Sequence, residues 1–131
     1  MLRVLIAEDN WSARENLVHS LKLEGHVVVS VGDGQTAWDL LDQGEKFDLI
    51  MSDNDMPNMT GVELLRRVRM DKRTAHIPFA LMSGWMTVSG HDSTDLEKMC
   101  AEFQATFVEK PFDFEVVIIK LLGFKREVDD S

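Results

Sequence analysis

Cysteine is almost absent. Cys100 stands alone among 131 residues, so no internal disulfide can form. That suits a reducing compartment. Proline is scarce as well, at three residues beside eight glycines, which gives no basis for a disordered or fibrous chain. No apolar run approaches the ~18 residues that a membrane span needs. The opening "MLRVLIAEDN" has a short apolar segment followed at once by acids, unlike a signal peptide. Cations are in deficit: 14 Lys and Arg face 23 Asp and Glu, a formal net charge of −9. Phosphate backbones and anionic membranes need clustered Lys and Arg, so neither is an expected partner. Divalent cations and basic protein surfaces are compatible. Together these absences predict a cytoplasmic protein of one domain.

What is present alternates between short apolar runs and longer stretches of helical period. "LRVLIA" (Leu2 to Ala7) reads as a buried strand. From Trp11 to Leu23, Ala13, Leu17 and Leu21 recur every fourth residue, and Gly25 ends that helix. "VVVSV" (Val27 to Val31) is a β-branched second strand. Ala37, Leu40 and Leu41 mark a short helix ending near Gly44. "DLIMS" is a third strand, stopping at Ser52. Thr60 and Glu63 have capping-box spacing ahead of Leu64, Leu65 and Val68. "IPFALMS" (Ile77 to Ser83) is a fourth strand. Leu96, Met99, Cys100 and Phe103 share one helix face, which makes Cys100 a core residue. "ATFVE" is the fifth strand. Asp113 can cap a last helix with Phe114, Val117, Ile118 and Leu121 inward and Gly123 at its end. Five βα units with near-continuous apolar strands predict an α/β fold, a parallel sheet with helices on both faces. Such sheets bind ligands beyond the carboxyl ends of their strands.

Those ends carry a constellation. Glu8, Asp9 and Asn10 follow the first strand; Asp53 and Asp55 follow the third. Ser83 and Gly84 follow the fourth, and Lys110 with Pro111 follows the fifth. Taken singly, each has a plain reading: a helix cap, a turn residue, a solvated charge. Independent plain causes explain poorly why all stand at the same edge. Three converging carboxylates repel one another, and a hard divalent cation relieves that repulsion. A hydroxyl and an ammonium suit phosphoryl oxygens, and a carboxylate can be a phosphoryl nucleophile.

On these residues the chain resembles the receiver domain of two-component response regulators, of the chemotaxis-regulator type, along its whole length. The matching motifs are Glu8-Asp9, "D-x-x-M-P-x-x-x-G" from Asp53 to Gly61, Ser83, and "K-P-F" from Lys110 to Phe112. The resemblance implies a flavodoxin-like (βα)5 fold, a doubly wound parallel sheet in strand order 2-1-3-4-5. It implies a receiver domain over 1–123, then a polar tail or linker start over 124–131. Asp53 is then the phosphoacceptor, served by a sensor histidine kinase or a histidine phosphotransfer protein. Asp9, Asp53 and the backbone carbonyl of Asp55 ligate Mg²⁺, with Mn²⁺ as a substitute, and Glu8 acts mainly through water. Lys110 pairs with the acids and then with the phosphoryl group. Ser83 and Phe107 form the switch, and helix four, strand five and helix five present the surface that a downstream protein or effector domain reads. A phosphorylation-dependent homodimer through that surface is compatible with the resemblance. The chain catalyses only its own phosphorylation and slow dephosphorylation.

Four departures stand out. Glu8 replaces the commoner Asp. The switch aromatic is Phe107 in a chain with no tyrosine, so no phenolic hydrogen bond can hold it inward. That predicts weaker coupling of phosphorylation to output. Asp55 adds a carboxylate beside the acceptor, with either sign of effect, and with Asn54 is a modulator. The loop from Gly84 to Asp95 is longer than usual; Gly84 leaves the site open, while Trp85 can cover it.

Two other readings compete. Asp53-x-Asp55 also resembles a haloacid-dehalogenase-type phosphatase, although that family places the motif after its first strand. A receiver-like interaction module independent of phosphorylation is the second. Of the remaining residues, Trp11 is either a lid near the metal or an exposed first-turn residue. Trp38, Met56 and Met59 read as packing, and His19, His26, His76 and His91 lack metal-ligand spacing.

Overall fold

The computed structural model describes residues 1–83, 93–110 and 116–117. The elements are β1 (Arg3–Ala7), α1 (Trp11–Leu23), β2 (Val27–Val31), α2 (Gly34–Asp42), β3 (Leu49–Asp53), α3 (Gly61–Met70), β4 (Phe79–Ser83), α4 (Ser93–Glu102) and β5 (Thr106–Glu109). All four strand pairings are parallel, in the order β2-β1-β3-β4-β5. This is the flavodoxin-like order that the resemblance implies. Among the described residues no helix is long and apolar enough to cross a membrane.

Side chains alternate across each strand and so build two cores. Leu5, Ile50 and Leu81 pack with Ala37, Leu41, Leu64, Leu65 and Leu96 on one face. Val4, Ile6, Met51, Met82 and Val108 pack with Val18 and Leu21 on the other. β3 and β4 are buried along their whole length, the physical reason for their near-continuous apolar runs. Trp38, Met56, Met59 and Cys100 are all buried core residues, as their patterns predict.

Several boundaries differ from the sequence expectation. β3 continues to Asp53 instead of stopping at Ser52, because Asp53 still pairs with Met82. β4 begins at Phe79, since Pro78 has no N–H to give the ladder, though its carbonyl accepts from Ile50 N at 2.9 Å. On α1 the buried residues are Val18 and Leu21, not Ala13. Phe103 falls just past the end of α4. The expected helix from Asp113 lies outside the described residues apart from Val116 and Val117, of which Val117 is buried on the α1 side. Pro111, Phe112 and the tail over 124–131 also lie outside them.

Two devices fix the loops around β3. The Thr60 capping box is present in both directions: Thr60 N donates to Glu63 Oε1 at 3.1 Å, and Glu63 N to Thr60 Oγ1 at 3.2 Å. Next to it, Gly61 is required for space. A Cβ there would stand 2.4 Å from the Asp53 carbonyl oxygen and 2.7 Å from Leu81 Cδ1. Farther along α3, Arg69 donates to the carbonyls of Phe103 at 2.8 Å, Ala75 at 3.2 Å, Ile77 at 2.7 Å and Gln104 at 3.1 Å. One guanidinium thereby ties the approach to β4 and the turn before β5 to α3.

Gly61→Ala is expected to cost about 2–3 kcal/mol by overpacking against backbone. Thr60→Ala, which removes only a cap, is expected to cost about 1 kcal/mol. Urea unfolding measures the order; equal losses would mean that the loop shifts freely to accept the methyl group.

Candidate functional site

The site follows from register. β1 and β3 are neighbours with Ala7 opposite Ser52, so Glu8 comes level with Asp53. On the other side Asp53 pairs with Met82, one residue before Ser83. Ser83 pairs with Glu109, and Lys110 N donates to the Ser83 carbonyl at 2.8 Å. Four separate strand ends thus converge.

Glu8 is buried, its N–H donating to Val31 O at 3.1 Å. Its Oε2 accepts from Asn10 N at 3.3 Å, and Asn10 caps α1 by accepting from Ala13 N at 2.8 Å. Lys110 Nζ lies 2.5 Å from Glu8 Oε1 and 3.1 Å from Asp53 Oδ1. Carboxylate oxygens of Glu8, Asp9 and Asp53 all lie within 4.8 Å of one another. Three carboxylates thus share one ammonium.

The electrostatics follow from that imbalance. Burial and the Glu8 charge push the Asp53 carboxyl up to about 7, against the opposing pull of Lys110. Asp9 is raised as well, by burial and then by Glu8. Burial disfavours the charged form of Lys110, but the hydrogen bond to Glu8 and the charge of Asp53 outweigh it, and its pKa rises. The donors are all hard oxygens, which fits Mg²⁺ or Mn²⁺ and not a soft metal.

The structure brings together Glu8, Asp9, Asp53 and Lys110. Ser83 is fully buried at the end of β4, Asn54 is buried beside Asp53, and Asp55 is half-buried. Phe107, opposite Leu81, is half-buried against the core shared with α2, α3 and α4. Trp11 is 67% exposed in the first turn of α1. His26 is structural: its Nδ1 accepts from Leu2 N at 3.0 Å. Gly84 and Trp85 lie outside the described residues, as does the loop through residue 92; Ser93 already belongs to α4. One contact near the site carries no local signal in the sequence. Asn58, in the loop after β3, meets Asp33 before α2, 25 residues away.

A doubly wound parallel sheet with an acidic cluster and a lysine at its carboxyl edge is the arrangement of a receiver-type signalling domain. The chain belongs to the response regulator receiver domain family, whose model matches residues 4–122. It is therefore a chemotaxis-regulator-like receiver of two-component signalling. It is 31% identical over 121 residues to the chemotaxis protein CheY of Pseudomonas aeruginosa, covering 92% of this chain and 93% of that one. The chemotaxis response regulator CheY4 of Vibrio cholerae superposes with a TM-score of 0.75 at 31% identity, covering 93% of this chain and 97% of that one. A third relative, the 3',5'-cyclic-nucleotide phosphodiesterase regA of Dictyostelium discoideum, is 38% identical over 84 residues, 63% of this chain. The match spans 11% of that protein's length.

A carboxylate with a raised folded-state pKa favours the folded state least when it is ionised. Asp53 moves from 3.8 to about 7, so its penalty is absent below pH ~4, grows as the pH rises to 7, and is then constant. Without divalent cations, Asp53→Asn is expected to stabilise the fold by about 4 kcal/mol at pH 8 and not at pH 4. Denaturant unfolding at the two pH values tests this, and an equal effect at both would refute the electrostatic cause.

Proposed function

We propose that this chain is the phosphoacceptor switch of a two-component phosphorelay, with Asp53 as the acceptor. The carrying observation is the Asp53 carboxylate itself, 3.1 Å from Lys110 Nζ and inside the cluster with Glu8 and Asp9. A phosphohistidine on a sensor histidine kinase or histidine phosphotransfer protein is the donor. An Asp53 oxygen bonds to phosphorus, the phosphorus–nitrogen bond breaks, and its electron pair returns to the imidazole, which takes a proton. The chain would act on no other substrate.

Asp9, Asp53 and the Asp55 carbonyl would hold Mg²⁺, with Glu8 one step further out. When bound, the ion supplies positive charge against the carboxylates and the incoming phosphoryl oxygens. Lys110 is already oriented at Asp53 and can follow the charge onto the phosphoryl group. Ser83, at the end of the neighbouring strand, donates to a phosphoryl oxygen. Phe107 is the aromatic that then turns inward, and the face formed by α4, β5 and the helix after it changes for a downstream protein, an effector domain or a second copy. The domain covers 1–123, the protein is cytoplasmic, and this chain itself binds neither nucleic acid nor membrane.

Acetyl phosphate with Mg²⁺ is expected to place one phosphoryl group on Asp53, readable by mass spectrometry of the intact chain and its peptides. Chelation of Mg²⁺ or Asp53→Asn should abolish it. Stable labelling of the Asp53→Asn chain at another residue would sink the assignment. Mg²⁺ at tenfold its Kd is expected to add about 1.4 kcal/mol of stability, a rise of about 5 °C in Tm. No rise at any Mg²⁺ concentration would count against the ligand set.

A further inference from the structure

Asp33 and Asn58 stand outside the carboxylate cluster and join two loops at its edge. Asp33 is the N-cap of α2, its Oδ1 accepting from Thr36 N at 2.7 Å. Its second oxygen, Oδ2, accepts from Asn58 Nδ2 at 3.2 Å. Asn58 holds a φ of 66°, in the left-handed region that asparagine tolerates better than most residues. The adjacent residue confirms how closely the loop lies on α2. A Cβ on Gly34 would stand 2.5 Å from the Met59 carbonyl oxygen and 2.9 Å from Met59 Cβ.

The same loop is closed at its base. Gly61 N donates to Asn54 O at 3.1 Å, and Val62 N donates to Asn54 Oδ1 at 3.2 Å. Asp55 therefore lies between two anchors, Asn54 at the base and Asn58 at the apex. Met56 is buried in the core between them, and the apex bond ties the exposed tip of the loop to the N-cap of α2.

We propose that Asp33 and Asn58 are a positioning pair for the divalent-cation site, their hydrogen bond setting where the Asp55 backbone carbonyl stands relative to Asp53. The inference rests on the reading of that carbonyl as a metal ligand. Mg²⁺ demands near-ideal octahedral geometry, so a displaced oxygen weakens binding steeply. Groups that hold ligands in place tune metal affinity for the same reason. Neither residue touches the ion; both act through the loop.

Two substitutions isolate the bond. Asp33→Ser keeps a capping oxygen for α2 and loses the carboxylate oxygen that faces Asn58. Asn58→Gly keeps the left-handed backbone and loses the amide. Mg²⁺ affinity is measured by calorimetric titration on the wild type, both single variants and the double variant, with Tm in the absence of Mg²⁺ as the structural control. Each single variant is expected to bind Mg²⁺ about three- to tenfold more weakly, with the double variant no weaker than the worse single one. Tm without Mg²⁺ should change little. Unchanged affinity in both single variants beside a wild type that binds Mg²⁺ would overturn the positioning role. Additive losses would overturn the pairing, since a loss caused by the Asp33 charge alone persists in the Asn58→Gly background. A wild type that does not bind Mg²⁺ would overturn the ligand reading beneath it.

Discussion

One ammonium among three carboxylates is the constraint on which the rest of the structure turns. Lys110 reaches both Glu8 and Asp53, yet burial and the Glu8 charge still leave Asp53 with a raised pKa. Among the described residues, the three clustered carboxylates outnumber the one ammonium that pairs with them. A site of this kind is better satisfied with a cation bound than without one. The long Glu8 side chain matters here. It spans to Lys110 at 2.5 Å while its backbone stays locked to β2 through Val31, so the lysine is held at the edge where Asp53 emerges.

The parallel sheet is what makes such a concentration of charge stable. β1 and β3 are adjacent, and β4 follows, so residues 8, 53, 83 and 110 meet without any long excursion of the chain. Behind them, β3 and β4 are buried throughout and cannot slide without turning a whole apolar set to the wrong face. Gly61 adds a second restraint by packing α3 directly against the Asp53 carbonyl oxygen. Backbone precision at the acceptor therefore comes from apolar burial and close approach, not from the charged groups themselves.

Legibility in the sequence follows the range of each interaction. Strands, helices and the Thr60–Glu63 box rest on local period and spacing, and among the described residues they stand where the pattern places them to within a residue or two. Glu8, Asp9, Asp53 and Lys110 were legible as a set because each directly follows an apolar run, and parallel topology puts all such positions at one edge. Their mutual arrangement was not. Glu8 and Lys110 are 102 residues apart, and nothing local says that Glu8 takes the closer contact. Gly61 reads as a helix start, but its necessity comes from Asp53 and Leu81 across the fold. Asp33 and Asn58 look like two ordinary turn residues until tertiary structure joins them. Trp11 was ambiguous because a first-turn residue beside a site can point either way.

The opposite edge of the sheet carries the compensation, and not through its visible ion pairs. Arg73 bridges Asp42 and Asp71 at 2.7 Å each, and Asp71 is held well below the usual carboxylate range by the Arg73 hydrogen bonds. Both partners are solvent-facing, so such pairs add little to stability. Arg69 is different. It is half-buried, and its four carbonyl acceptors come from two loops. Hydrogen bonds from a charged donor in that setting are worth more than exposed bridges, and leaving the carbonyls unpaired costs more still. Arg69 also meets the Gln104 carbonyl, where a φ of 55° puts a non-glycine residue in the left-handed region. A strained turn before β5 is thus pinned from α3, and β5 is the strand that delivers Lys110. The stabilising contact at one edge and the charge-starved cluster at the other are joined through a single short strand.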